Sequence, residues 1–321
     1  MDDTADDARW MGAALALSQR GVGRTHPNPP VGCVVVRAGR VIGRGWTQPG
    51  GRPHAEAMAL AAAGEAAGAT AYVTLEPCAH ASPRGPACAG TLIAAGVARV
   101  VIAASDPDPR TDGRGIAQLV AAGIAVTRGI RSAEAEAIMA GFFTRQRFAR
   151  PHITLKLAVS LDGSIAPATG TSRWITGDRA RAHAHLERAR ADLIVVGRGT
   201  YAADAPRLDV RLPGLEDRAP ALAVMATAPV AGARHLASPA ALAAVTDADR
   251  VLVEGGAGLA TSLIAADLVD RLLLYRAPIL LGGKPALAGL ASDLAGAHGR
   301  WHPAAIIDLG PDRLETYVRM R

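Results

Sequence analysis

Pro53-His54-Ala55-Glu56, then Thr70-Ala71-Tyr72-Val73-Thr74-Leu75-Glu76-Pro77-Cys78, then Cys88, is the stretch whose reading decides the first half of the chain. An apolar strand, Thr70–Leu75, delivers one cysteine from its end, and a second follows at short range. One imidazole and two thiolates fill three corners of a tetrahedral Zn²⁺ site and leave the fourth to water. Glu56, two residues beyond the imidazole, can shuttle protons without ligating the metal. The plainer alternative is a solvated histidine and two cysteines buried as small apolar groups. Composition weighs against it, because two of the three cysteines in the chain stand in this cluster.

Working outward, Thr4 followed by Asp7 reads as a capping box opening a helix through about Arg20. Gly21 to Pro30 is a Gly/Pro-rich loop, and strands are expected at Val31–Arg37 and Arg40–Trp46. A helix from His54 to about Gly64 and the strand Thr70–Leu75 follow. Cys88–Ala95, Arg99–Ala103, Gly115–Ala122, Ile124–Thr127 and Ser132–Phe148 continue a strand/helix alternation, which argues for a layered α/β sheet. The ligands then fall at the starts of two neighbouring helices, where the helix N-terminus favours thiolates.

A boundary is expected near Arg145–Pro151, giving domains 1–147 and 151–321. The second half alternates again. Strands are read at His152–Val159, Leu193–Val196, Ala221–Met225, Arg250–Glu254 and Arg271–Tyr275, and helices at Asp178–Arg190 and Leu259–Ala266. His302–Leu309 and Arg313–Met320 read as a closing hairpin, and Ala226 to Asp249 as loop-rich. Two strands run into glycine turns, Gly197-Arg198-Gly199-Thr200 and Glu254-Gly255-Gly256-Ala257-Gly258. Such a turn ahead of a helix can hold a phosphate, although a plain strand–helix turn has the same sequence.

At 321 residues, half of them apolar, two ordinary domains can each bury a core. The net charge is +6, but the arginines are scattered and only 3% of residues are aromatic. That disfavours a nucleic-acid binder, which would show a basic stripe with interleaved aromatics. Met1-Asp2-Asp3-Thr4 lacks a signal-peptide n-region, and no apolar run reaches membrane-spanning length. With thiolates suited to a reducing compartment, a cytoplasmic protein that engages neither membrane nor nucleic acid is expected. A homo-oligomer is compatible with the sequence.

The chain resembles the bifunctional riboflavin-biosynthesis deaminase/reductase family over nearly its whole length. His26-Pro27-Asn28-Pro29-Pro30-Val31-Gly32, Pro53-His54-Ala55-Glu56 and Leu75-Glu76-Pro77-Cys78-Ala79-His80 are similar to its deaminase motifs, as is Asp106-Pro107-Asp108-Pro109 to a later loop. Leu155-Lys156-Leu157-Ala158-Val159-Ser160-Leu161-Asp162-Gly163, Ser172-Arg173-Trp174-Ile175-Thr176, Gly199-Thr200-Tyr201-Ala202-Ala203-Asp204 and Val253-Glu254-Gly255-Gly256 are similar to its reductase motifs. The resemblance implies an N-terminal cytidine-deaminase-like α/β/α domain and a C-terminal dihydrofolate-reductase-like α/β domain. It implies Zn²⁺ on His54, Cys78 and Cys88, Glu56 as catalytic acid/base, and NADPH as second cofactor. The implied substrate is a phosphorylated pyrimidine, 2,5-diamino-6-ribosylamino-4(3H)-pyrimidinone 5′-phosphate, deaminated first and then reduced from ribosyl to ribityl. By resemblance Asn28 meets the pyrimidine. Ala158, Trp174, Thr200, Asp204, Gly256, Ala257, Gly258, Leu259, Ala260, Thr261 and Ser262 line the NADPH site. Ser172, Arg188, Leu208, Arg211 and Glu254 hold the substrate.

Two departures stand out. Nine residues, Ala79 to Ala87, separate the cysteines, one more than the family's usual loop, and Ala205 replaces the second of a tandem Asp pair. Other readings therefore remain: a deaminase whose second domain is inactive or regulatory, a nucleic-acid deaminase, or a structural zinc module closed by His80.

Overall fold

The computed structural model describes residues 3–169, 174–204, 208–290 and 298–321. The chain divides into two compact units, Met1–Ala149 and Arg150–Arg321.

The first unit runs α1 (Asp3–Ser18), β1 (Gly32–Arg37), β2 (Arg40–Trp46), α2 (Ala55–Ala63), β3 (Thr70–Leu75), α3 (Cys88–Ala94), β4 (Arg99–Ala104), α4 (Arg114–Ala121), β5 (Ala125–Arg128), α5 (Ser132–Ile138) and α6 (Ala140–Phe148). Its sheet has the order β2-β1-β3-β4-β5. β1 is antiparallel to β2 and β3, whereas β3, β4 and β5 run parallel. Five consecutive residues are buried in each of β1, β3 and β4, so both faces of the sheet are covered. Asp7 does not cap α1. Its carboxylate is buried, taking a bidentate pair from Arg99 and the Tyr72 hydroxyl at 3.0 Å, which ties α1 to β3 and β4. The expected single helix over 132–148 is two helices. Met139, buried, leaves helical geometry (φ −95°, ψ 18°) to reach the core, with no glycine or proline to mark the break.

The second unit runs β6 (His152–Val159), β7 (Ser164–Ala166), α7 (Asp178–Ala189), β8 (Leu193–Gly197), α8 (Arg198–Asp204), β9 (Ala221–Met225), β10 (Arg234–Leu236), α9 (Pro239–Ala243), β11 (Arg250–Val253), α10 (Ala257–Ala265), β12 (Arg271–Arg276), β13 (Lys284–Pro285), β14 (Trp301–Leu309) and β15 (Asp312–Arg319). Eight strands form a sheet of order β10-β9-β8-β11-β6-β12-β15-β14. The first six are parallel, and β14 and β15 close it as the expected antiparallel hairpin. Alternation sorts the side chains. Leu193 and Val195 join Ile153, Leu155 and Leu157 in one core cluster, while Ile194 and Val196 face another. The stretch read as loop-rich, 226–249, contains β10 and α9, whose Ser238 caps α9 through the Ala241 N–H. Asp162 does more than turn the chain. Its carboxylate accepts the Leu281 and Gly282 N–H groups at 2.9 and 3.0 Å and the Ser164 hydroxyl at 2.6 Å.

At the start of β6 lies a buried histidine, His152, whose Nδ1 has no hydrogen-bond partner. Burial pushes its imidazole down to about 3; Asp270 opposes this, and Arg250, Arg271 and Arg150 add to it. An unfolded histidine titrates near ~6.5. Between pH 6.5 and 3 the unfolded chain therefore holds a proton that the native chain refuses. Stability from this group is complete above ~6.5 and falls as the pH drops, by up to about 1.4 kcal/mol per pH unit. We expect urea unfolding of the second unit to show this loss between pH 6 and 4, and His152→Gln to flatten it. Parallel pH profiles for the two proteins would remove His152 from the account.

Candidate metal centre and nucleotide crevice

The metal centre forms where two helices start beside the end of β3. His54 is the extended residue preceding α2, and Cys88 is the first residue of α3. Cys78 lies in the loop just past β3. The close approach of α2 to β2 requires glycine: a Cβ on Gly45 would stand 2.2 Å from the Ala55 carbonyl oxygen. The end of β3 is held by Glu76. This buried carboxylate accepts the N–H groups of Gly113 and Ile116, each at 3.2 Å, and so fastens β3 to the start of α4.

His54 Nδ1 lies 3.3 Å from Cys88 Sγ and 3.7 Å from Cys78 Sγ, and the three donor atoms all fall within 4.8 Å of one another. A tetrahedral zinc with Zn–S of ~2.3 Å and Zn–N of ~2.0 Å needs N···S separations of roughly 3.5 Å, so the set fits Zn²⁺. The Cys88 N–H donates to Cys78 Sγ at 3.3 Å. Cys78 is lowered to about 4, first by the hydrogen bond from the Cys88 thiol and then by His54, against burial. Cys88 is pushed up by that same neighbour and by burial. These neighbours favour the thiolate form of Cys78, the form that binds a soft or borderline cation.

Asn28 Nδ2 donates to the Gly51 carbonyl at 2.7 Å and stands 2.9 Å from His54 Nε2, fixing the imidazole from behind. Glu56 is buried in the first turn of α2, and burial pushes its carboxyl up. His80 does not join the donor set among the described residues, and its Nδ1 is buried without a partner. The 79–87 loop contains a tight turn. Ser82 and Gly85 exchange N–H···O bonds of 3.0 Å, and Arg84 donates to the Gly50 carbonyl, beside the Gly51 that holds Asn28. Sequence reasoning gave no role to Arg84, or to Asp106. Burial pushes Asp106 up to about 7, with the charges of Asp108, Glu76 and Cys78 adding and the Asp108 N–H opposing. The Asp-Pro-Asp-Pro turn was its only signal.

In the second unit the parallel strands end along one edge, where an open α/β sheet binds ligands. A crevice of about 430 Å³ opens there, lined by Gly197–Thr200, Met225–Thr227, Ala237–Pro239, Gly256–Leu259 and Ser262. Gly256, extended, caps α10 with no side-chain acceptor, so the first N–H groups of that helix face the crevice unclaimed by a cap. Of the sequence-expected run, Gly256, Ala257, Gly258, Leu259 and Ser262 line it together with Thr200. Ala260 turns into the core, and Thr261 accepts the Ala288 N–H, because a helix shows only one face to a groove. Ala158 packs towards Tyr275 and Leu314 outside the lining. Trp174 is 75% exposed, with the Arg181 guanidinium 4.9 Å from its ring. Asp204 ends α8, its side chain lying beyond what the structure describes; Ser172 and Ala205 lie outside the described residues.

Arg188 and Glu254 form a bidentate pair at 2.6 and 2.9 Å, and Arg188 also donates to the Asp209 carbonyl at 3.2 Å. Burial raises the Glu254 carboxyl, but Arg188 and Lys156 together hold it below its ordinary range. Lys156, passed over as a site residue, stands 4.0 Å from Glu254 and over the Tyr275 ring. Leu208 is buried against Ile194 and Val224, and Arg211 pairs with Asp209 at 3.0 Å on the surface.

A zinc-binding deaminase domain joined to a nucleotide-type α/β domain is the class these features define. The family model for the cytidine and deoxycytidylate deaminase zinc-binding region matches residues 4–104, and the RibD C-terminal domain matches 151–231 and 228–312. The chain belongs to the RibD family of riboflavin biosynthesis proteins. It is 39% identical to the RibD of Mycobacterium tuberculosis over 334 residues, 96% of each chain. It is 50% identical to that of Escherichia coli over 217 residues, a stretch that covers 67% of this chain and only 59% of that one. A solved Thermotoga maritima structure, described as a diaminohydroxyphosphoribosylaminopyrimidine deaminase/5-amino-6-(5-phosphoribosylamino)uracil reductase, superposes with a TM-score of 0.89 at 29% identity, covering 99% of this chain and all of that one. The first unit is cytidine-deaminase-like and the second dihydrofolate-reductase-like. As purified the protein is expected to carry one Zn²⁺ per chain, and Cys88→Ser to lose stoichiometric metal. Full occupancy of the mutant by elemental analysis would sink the ligand assignment.

Proposed function

We propose that the chain catalyses two successive steps of riboflavin biosynthesis. Domain 1–147 deaminates 2,5-diamino-6-ribosylamino-4(3H)-pyrimidinone 5′-phosphate, and domain 151–321 reduces the ribosyl group to ribityl with NADPH. The observation that carries the reading is the set of three donor atoms within 4.8 Å beside a buried carboxyl, Glu56. Zn²⁺ supplies Lewis acidity that brings the pKa of water towards neutrality. Glu56, its carboxyl raised by burial, takes a proton from the attacking water and returns it to the departing nitrogen. Across the step one C–O bond forms, one C–N bond breaks, water is consumed and ammonia leaves. Asn28 keeps His54 oriented and offers its amide to the pyrimidine.

For the second step NADPH supplies the hydride. Thr200 and the Gly256–Leu259 turn hold its phosphates. Arg188 and Arg211 suit the substrate's phosphate, Glu254 and Leu208 hold the rest of the substrate, and Asp204 shapes the cofactor end. Ala158, Trp174 and Ser172 keep the roles that the family resemblance implies.

Glu56→Gln is expected to retain zinc while losing ammonia release by ~10²-fold or more, with NADPH oxidation on the already deaminated substrate intact. Release of the metal by this mutant would instead make Glu56 a ligand. Glu254→Gln is expected to lower the rate of NADPH oxidation by at least about tenfold while ammonia release is unchanged. An unaltered reductase rate in that mutant removes Glu254 from the substrate site.

A further inference from the structure

We propose that Tyr275 is a positioning residue of the reductase: its ring seats the Lys156 ammonium beside Glu254. The inference rests on the reading of Glu254 as a substrate residue. The sheet brings the three side chains together. β6 and β12 are parallel neighbours, with Lys156 opposite Leu273 and Ala158 opposite Tyr275. Alternate residues share a face, so Lys156 and Tyr275 stand on the same side of the sheet. On the other flank of β6, Val253 is opposite Leu155, which brings Glu254 level with Lys156 one residue further on. Lys156 thus has Glu254 on one side and the Tyr275 ring on the other, 4.0 Å and 5.7 Å from its ammonium nitrogen.

Glu254 alone does not fix that ammonium. Arg188 claims both carboxylate oxygens, at 2.6 and 2.9 Å, and 4.0 Å is too long for a hydrogen bond from Lys156. A lysine is a compact charge on a flexible stem, and left to itself it samples many directions. The Tyr275 ring restricts it, because a cation within about 6 Å of an aromatic face is attracted by the ring quadrupole. The ring is itself held still. It is 1% exposed and packs with Leu273 and Leu314 against Ala180 and Ala184 of α7. Its hydroxyl stands 2.8 Å from Nδ1 of His183, also on α7. Burial pushes the hydroxyl up and the imidazole down, so this contact joins two neutral groups and sets no rival charge beside Lys156. One helix therefore ties down both neighbours of the lysine, Glu254 through Arg188 and Tyr275 through His183. The Lys156 side chain is 20% exposed, which leaves room for a substrate to reach it.

NADPH oxidation on the already deaminated substrate is followed in the full-length protein as wild type, Tyr275→Phe, Tyr275→Leu and a series with phenylalanines of increasing ring fluorination at position 275. Fluorination keeps the shape of the ring while draining its quadrupole. Tyr275→Phe is expected to keep kcat within about threefold, since the ring remains, and kcat then to fall stepwise with fluorination by about tenfold in all. Tyr275→Leu should lose at least about tenfold in kcat. In every variant the KM for NADPH and the rate of ammonia release should stay within about threefold of wild type. A ring that only fills the core would leave kcat flat across the fluorinated series, and that result overturns the proposal. Equal losses in Tyr275→Phe and Tyr275→Leu would place the effect in the hydroxyl and overturn it as well. Should Tyr275→Leu not fold, the fluorinated series decides alone. Wild-type protein that does not oxidise NADPH on this substrate overturns the reading of the reductase site itself, an outcome distinct from the others.

Discussion

The metal centre depends on how closely α2 can lie against β2. With 2.2 Å between a Cβ on Gly45 and the Ala55 carbonyl, any side chain there would lift the helix and carry His54 with it. Zinc tolerates ligand displacements of only a few tenths of an ångström. The absence of one methyl group on β2 is therefore as much a part of the site as the imidazole is. Gly115 has the same function on the other side: a Cβ there would meet the Pro77 carbonyl oxygen at 2.0 Å, pushing α4 off the turn that presents Cys78. Glu76 then fastens that turn through the N–H groups of Gly113 and Ile116.

The two units solve their binding problems with the same architecture and different chemistry. In both, the ligand groups gather beyond the carboxyl ends of parallel strands, where helix N-termini point outward. In the first unit that edge presents sulfur, imidazole and a buried carboxyl, a constellation for a cation and a proton. In the second it presents backbone N–H groups, hydroxyls and one guanidinium, suited to phosphates. Beside the latter, Glu254, Arg188 and Lys156 form a buried charged cluster whose internal pairing keeps Glu254 ionised despite its burial.

Buried ionic groups away from the sites have a structural task. Asp7 joins α1 to β3 and β4 through Tyr72 and Arg99. Arg150 lies at the boundary that the sequence marks as a basic run, yet it is buried. It pairs with Asp270, which also accepts the Ile153 N–H, so this arginine belongs to the second core and not to a solvated linker. Neither role is visible in the local sequence, because the partners lie 92 and 120 residues away.

By itself the sequence determined the layered α/β class and most strand positions, and it singled out the His54, Cys78 and Cys88 donors that the fold brings within 4.8 Å of one another. Strand periodicity, turn residues and the chemistry of one histidine with two cysteines are local properties. β3 and β6 are found at the residues their apolar runs predict, and the closing hairpin nearly so. Only the tertiary structure decided the break at Met139, the partners of Asp7 and Arg150, and the place of Glu76 and Lys156. It also decided which members of the 256–262 run face the crevice: the helix period and the core beneath turn Ala260 inward and leave Ser262 at the groove. The physical reason is common to all of these. A side chain's role in a site is set by what packs against it from distant parts of the chain, and a residue's own neighbours in sequence carry no record of that.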